Sequence, residues 1–341
     1  MIGYSPLLRG DVTNLAALGH LSSASLVRPV LTVDGNDLRH IVHRLTRAHL
    51  AGFTVSLDLR SPERSQLLFD YSRFVKPLVQ ASITCRPVVQ MDDEPELLRS
   101  LGAVTHPEAG GDGVTLRVRA LGRGAVETAR QAAIIASAAT RLPRTSIHIL
   151  LDQTDAPSPQ LAGEIVNLVT SQGPWGSITL AGGSAPAISS LTKRGVWHRI
   201  EQKELALLDR IAEQQGNHRS VAFGDYGNRH ATLEAHAPHA RGNGLRWLHD
   251  GAWYVCRESA VNGWPPPEVR QVELADLLGL DAVNVASPRS WGERELIRFL
   301  AGDVEPDLIN AWMVNHHLEL TGARVAQRAV APSTRAAVVP A

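Results

Sequence analysis

The sequence predicts an α/β fold, a (β/α)8 TIM-barrel-like domain with a C-terminal β-hairpin/helix extension. Three observations carry that expectation. Eight short apolar runs recur between residues 3 and 230, with helical segments between them, the pattern of a parallel sheet. Eight is also the number that closes a barrel, and a span of roughly 230 residues suits one of ~250. The first run leads into Arg9-Gly10-Asp11, not the glycine-rich phosphate turn that an open doubly wound sheet would show after its first strand.

In chain order, the first strand is read at Gly3 to Arg9, followed by a helical piece around Asn14 to Leu21. Arg28 to Asp34 is the second strand, with Asn36 or Asp37 placed to cap a helix from Leu38 to His49. Gly52 to Arg60 precedes a helix from about Arg64 to Gln80. Ile83 to Gln90 precedes a short one from Pro95 to Leu101. Gly113 to Arg119 leads into an Ala-rich helix at Ala125 to Arg141, and Ser146 to Asp152 into one at Gln160 to Ser171. Ser177 to Ser184 is the seventh strand, followed by an expected helix at Trp197 to Gln215. The eighth run is Val221 to His230, a short apolar strand that stops in a glycine-punctuated turn.

After residue 235 the texture changes. Gly244 to Leu248 and Trp253 to Arg257 flank His249-Asp250-Gly251-Ala252, a hairpin with a glycine-containing turn. The Pro-rich loop around Trp264 interrupts regular structure, a helix is expected at Gly292 to Ala301, and Val314 to Leu320 reads as a final strand. The organisation expected is a barrel over 1–235, an extension over 236–322 and a frayed tail over 323–341.

Composition narrows the class. Lys+Arg and Asp+Glu both number 34, so no global basic field points to nucleic acid. The two cysteines, Cys85 and Cys256, stand far apart in apolar runs and read as buried thiols of a reducing compartment. No apolar run approaches about 18 residues and no leader opens the chain, so a cytoplasmic protein without a membrane span is expected. Walker, zinc, HExxH and nucleophile-elbow patterns are absent, and no cofactor can be named.

Strand parity then sorts side chains. On the third strand Val55, Leu57 and Leu59 should face the helices, leaving Ser56, Asp58 and Arg60 inward. The same sorting sends Thr115, Arg117 and Arg119 inward, with Arg86, Val88 and Gln90, and with His148, Leu150 and Asp152. Arg9 and Asp34 join them from the first two strands. So charged an interior must pair internally or sit in a wet mouth. One reading is a structural network in which Asp58, Asp152, Arg86 and Arg117 satisfy one another. The other places Arg9, Asp34, Arg60, Gln90, Arg119, Asp152 and Asp225 at the C-terminal mouth, where barrels carry their ligand sites. The arginine excess there suits an anionic small molecule.

Further candidates are Gly182, Gly183 and Ser184, whose backbone N–H groups could meet a phosphate, and Tyr226 on the eighth strand. Parity on that strand is ambiguous, because a bulge at Gly224 would turn either Asp225 or Tyr226 inward. His40 and His43 read as surface residues, and His236 with His239 gives only a weak metal guess. His316 and His317, if on a strand, point to opposite faces and cannot form one ligand pair.

These motifs have a familiar order. Tyr4-Ser5-Pro6-Leu7-Leu8-Arg9, Leu180 to Pro186, Arg194-Gly195-Val196-Trp197, Phe223-Gly224-Asp225-Tyr226-Gly227, the Trp247 and Trp253 hairpin and Asn315-His316-His317-Leu318 together resemble the Beta protein family of bacteriophages and bacteria. The chain departs from the family's pattern at Arg9-Gly10-Asp11, where a Lys and a Glu are expected, and at Val196, where an acidic residue is expected. The resemblance implies a phage-linked or anti-phage defence setting and a partner that is a phage or co-encoded bacterial protein; it brings no reaction with it. Two functions follow as expectations. The first is a recognition module using the barrel mouth and the extension, with Asn315 and His316 on its surface and the C-terminal aromatics at an interface. The second is a hydrolase or lyase for a phosphorylated or nucleotide-like substrate, with Asp152 or Asp225 as base, His317 as acid and Arg9, Arg60 and Arg119 holding the anion.

Overall fold

The computed structural model describes residues 3–22, 26–34, 38–47, 50–60, 64–69, 71–90, 92–119, 124–155, 163–164, 167, 170–171, 173–183, 185, 191, 196–204, 206–209, 221–227, 244–257, 288–304 and 308–330. Seven parallel strands come first in the main sheet: β1 (Leu7–Arg9), β2 (Val30–Asp34), β3 (Thr54–Arg60), β4 (Thr84–Val89), β5 (Val114–Arg119), β6 (Ile147–Asp155) and β7 (Ser177–Gly183). The next strand, β8 (Trp197–Glu201), belongs elsewhere, and β9 (Val221–Gly224) completes the sheet beside β7. The segment just before β1 then closes the ring. Phe223 donates its N–H to the Gly3 carbonyl at 3.0 Å, Ser5 to Phe223 at 2.8 Å, and Leu7 to Asp225 at 2.7 Å. The fold is a (β/α)8 barrel, with all eight strands where the apolar runs predicted them.

Helices α1 (Val12–Gly19), α2 (Leu38–Arg47), α3 (Arg64–Phe69), α4 (Tyr71–Gln80), α5 (Pro95–Val104) and α6 (Ala125–Thr140) wrap the outside. Alternation on the strands decides what they cover. Val55, Leu57, Leu59, Leu116, Val118, Ile149 and Leu151 point outward and pack with Leu45, Leu97, Leu101, Ala132 and Ala136 in one continuous core. The inward set is different: Leu7, Val30, Val88, Leu150, Ala181 and Tyr226 form a small apolar plug. Polar side chains fill the rest of the interior, beginning with a Ser56–Thr115 hydroxyl pair at 2.8 Å. Most of the apolar burial thus lies between strands and helices, which leaves the barrel axis available for charge.

The C-terminal region builds a second sheet. β10 (Gly244–His249) and β11 (Ala252–Arg257) form the expected hairpin, and both turn residues, Asp250 (φ 44°) and Gly251 (φ 76°), are left-handed. Two consecutive positive φ values match the right-handed strand twist, and glycine takes the second without steric cost. β8 pairs antiparallel with β11, Trp197 opposite Cys256 and Ala252 opposite Glu201. The expected helix at Trp197 is therefore a strand, and the helix begins only at Glu204. The boundary at 235 also fails to separate the two sheets, since β8 precedes it and its partner follows it.

Two helices complete the extension, α7 (Trp291–Leu300) and α8 (Ile309–Val330). Val314 to Leu320, expected as a strand, lies within α8, and residues 323–330 continue that helix where a frayed tail was expected. The physical reason is burial on every side. Ala311 to Leu318 are all buried, between α1, α7 and the hairpin, so the apolar stripe that marks a surface helix is missing. Residues 331–341, the caps at Asn36 and Asp37, the loop around Trp264, and His236 with His239 lie outside the described residues.

Candidate functional site

Three inward positions in register on β3 and β5 build the charged core of the barrel. Below are Ser56 and Thr115, next come Asp58 and Arg117, and at the C-terminal rim stand Arg60 and Arg119. Arg117 is held on both sides: its Nε donates to Asp152 Oδ2 at 2.9 Å, and its Nη1 donates to Asp58 Oδ2. Arg60 approaches Asp58 at 3.7 Å and Arg119 approaches Asp152 at 3.6 Å. Tyr226 points inward and donates its hydroxyl to Asp152 Oδ1. Three guanidinium groups thus share two carboxylates.

Burial opposes the charge on Arg117, but Asp58 and Asp152 outweigh it and hold the group further above its usual range. Burial, followed by the Asp152 carboxylate, likewise raises the Tyr226 phenol and keeps it a neutral donor. The layer is graded in exposure. The Asp58, Arg117 and Asp152 side chains are 0, 4 and 2% exposed, whereas Arg60 is 28% and Arg119 57% exposed. Asp58 Oδ1 is buried with no hydrogen-bond partner among the described residues. The expected four-member network is corrected in one respect. Arg86 leaves it and pairs with Asp112 at 2.5 Å, because Arg86 stands two residues nearer the strand start than the acids it was to meet.

The structure separates Asp225 from Tyr226, and so separates the two residues expected together at the mouth. Gly224 lies where β9 presses on the β1 side of the ring; a Cβ there would stand 2.8 Å from the Ser5 carbonyl oxygen. Beyond it, Asp225 turns away from the axis to meet α8. Its Oδ1 accepts from Tyr4 OH at 2.8 Å and from the Gly227 N–H at 2.9 Å, and its Oδ2 meets His317 Nε2 at 2.8 Å. The His317 ring stacks on Trp253 at 4.9 Å between centroids, and Trp253 Nε1 donates to Glu204 at 3.3 Å. Burial pushes the Glu204 carboxyl up to about 7. This cluster has the composition of an acid–base site, but Asp225 and His317 are 1 and 0% exposed. In this structure it is an internal joint between barrel and extension.

Asn315 and His316 do similar work on neighbouring parts. Asn315 Oδ1 accepts from the Gly292 N–H at the start of α7, and its Nδ2 donates to the Ala17 carbonyl of α1, both at 2.9 Å. His316 Nε2 donates to the Leu248 carbonyl of β10 at 2.9 Å, while Nδ1 accepts from Ser290, the N-cap of α7. It also stacks on Trp247 at 4.1 Å. Burial pushes its pKa down to about 3, so the ring is neutral. Both residues were expected on a recognition surface; both are 0% exposed. Three successive residues of α8 therefore hold α1, α7, β10 and β9.

The remaining expected residues are scattered more widely. Arg9 is half-buried at the end of β1, and its carbonyl accepts from Asn14. Asp34 lies in register with Arg60, and Gln90 is half-buried with its N–H bonded to Asp93 at 2.7 Å. Gly182 is buried, and Gly183 stands where a Cβ would come 3.0 Å from the Tyr226 ring, which is a packing reason for the glycine. Ser184 and the Asp34 side chain lie outside the described set. His40 and His43 are exposed, as expected. Tyr4, Glu204 and Ser290 were not anticipated; Tyr4 alone had a signal, as the first residue of the opening motif.

The fold and the site define a (β/α)8 barrel protein with an interior arginine–carboxylate layer and a helical extension locked to its wall. The model of the Beta protein family matches residues 4–321, nearly the whole chain, and the protein belongs to that family. No curated protein matches the sequence. Among solved structures, one described as a fructose-1,6-biphosphate aldolase from Coccidioides immitis aligns over 96% of this chain and 91% of its own, at 9% identity and a TM-score of 0.32. A likeness that weak carries no argument about activity.

Proposed function

We propose that this chain is a recognition module that takes an anionic group at the mouth of its barrel, in a phage-linked or anti-phage setting. One observation supports the anion. Arg60 and Arg119 stand at the open rim above an inner layer whose two carboxylates are already engaged by Arg117, and the Arg119 guanidinium is 57% exposed there. A planar guanidinium fork at a wet rim is suited to phosphate or carboxylate oxygens. The setting, and a phage or co-encoded protein as the carrier of that group, rest on the family alone.

Binding is preferred to turnover because the groups that hydrolysis or elimination would need are committed. Asp152 accepts from Arg117 and Tyr226, and Asp225 with His317 is closed into the joint with α8. The test is a thermal-shift screen with inorganic phosphate, nucleotides and divalent metals. A saturable rise is expected with the anions, worth about 2.7 kcal/mol at a hundredfold excess over Kd. Arg119→Ala should abolish it while leaving the unliganded melt within about 0.5 kcal/mol, since Arg119 is a rim residue. A flat screen would remove the anion from the proposal.

A further inference from the structure

At the opposite, N-terminal end of the barrel, α4 and the start of β4 enclose a second concavity with the end of α5 and the turn before β5. It has a volume of about 590 Å³, within the range of small-molecule pockets. Its walls include Val75, Val79, Ile83 and Val104. Val79 is 64% exposed and Val104 41%, so this apolar surface faces solvent across the opening.

Ser72, Gln80, Ser82, Thr84 and Thr105 add neutral polar groups to the lining, and its charged side chains are Lys76 and Asp112. Asp112 is neutralised by Arg86 in the 2.5 Å ion pair. Lys76, exposed on α4, has no ion-pair partner among the described residues, which leaves it the one uncompensated charge of the lining. Tyr71, 4% exposed, also lines the site, and its hydroxyl is hydrogen-bonded to the Cys85 thiol. The neighbouring Cys85 thiol is pushed up to about 12 by burial, so it stays protonated and covalent capture is not its role.

We infer that this pocket is a binding site for a small amphiphilic anion, an apolar body of medium-chain size with a single carboxylate-like head directed to Lys76. The walls supply transfer of the apolar chain from water, and Lys76 selects the sign of the head. The site is independent of the mouth, because its residues belong to the other ends of the strands.

Isothermal titration with decanoate, decanol and decylammonium, each below its micelle concentration, tests the inference. Saturable binding of decanoate is expected, at least tenfold tighter than decylammonium. Lys76→Glu should weaken decanoate at least tenfold. Val79→Asp should do the same by removing wall and adding repulsion, and both sites are exposed enough to leave folding intact. Arg119→Ala should change nothing here, and inorganic phosphate should not displace decanoate, which distinguishes this site from the mouth. Absence of saturable binding, equal affinity for decylammonium, or indifference to Lys76→Glu would each overturn it.

Discussion

At the residue scale the decisive group is Asp225. A carboxylate withdrawn from water recovers its desolvation cost only when well-placed donors meet its lone pairs. Asp225 meets that condition with Tyr4, the Gly227 N–H and His317. Its replacement would leave His317 and Tyr4 buried without their acceptor. Asp225→Ala is therefore expected to destabilise the protein by about 3–5 kcal/mol. Tyr4→Phe removes one donor and keeps the ring packed beside Phe223, so about 1–2 kcal/mol is expected. Urea unfolding of both variants measures this. A loss below 1 kcal/mol for Asp225→Ala would mean that the joint is not what holds α8 to the barrel.

At the scale of elements, α8 illustrates both what was readable and what was not. The barrel strands were legible because their outer faces alternate cleanly, as in Val55, Leu57 and Leu59, and that same parity located Asp58, Arg117 and Asp152 on one axis. α8 and β8 were misread for opposite reasons. α8 is enclosed on all sides, so Val314 to Leu320 show no helical stripe, whereas β8 is an edge strand whose half-exposed side chains show no alternation. The roles of Asn315, His316 and His317 followed the misreading, since residues on a strand alternate faces while a helix aims three successive side chains at three different neighbours.

His316 also makes α8 sensitive to acid. His316 and His148, the latter bonded to Ser177 within the barrel, are both pushed down to about 3 by burial. Their unfolded pKa is near 6.5, so between pH 6.5 and 3 the unfolded chain binds two protons that the folded chain refuses. Stability must rise with pH across that window. Glu204, pushed up to about 7, opposes this above pH 4.5, because there the folded state holds a proton that the unfolded state has lost. The net for these three groups is one proton between pH 4.5 and 6.5, or about 1.4 kcal/mol per pH unit, and two protons below 4.5. His316→Phe should remove one proton from the slope of unfolding free energy against pH. An unchanged slope would mean that His316 accepts a proton in the folded protein.

At the scale of the whole molecule, the question is whether the barrel is a separable unit. Its sheet closes within residues 3–224, so on topology alone a fragment ending at residue 235 contains every barrel strand. Two dependencies argue that this fragment does not stand by itself. β8 lies inside it, but its ladder partner β11 does not, and an unpaired strand bearing Trp197 and Ile200 would be left exposed. Asp225 and Tyr4 lie inside it too, whereas His317 and Trp253 do not, so a buried carboxylate would lose its partner and its cover. The fragment 1–235 is expected to be compact, to bind ANS and to melt without a sharp transition, while the full chain unfolds cooperatively. Co-expression with 236–341 should restore the cooperative melt, because the missing partners return as one piece. A fragment that melts cooperatively within a few degrees of the full chain would establish the barrel as an autonomous domain and reduce the α8 joint to a surface attachment.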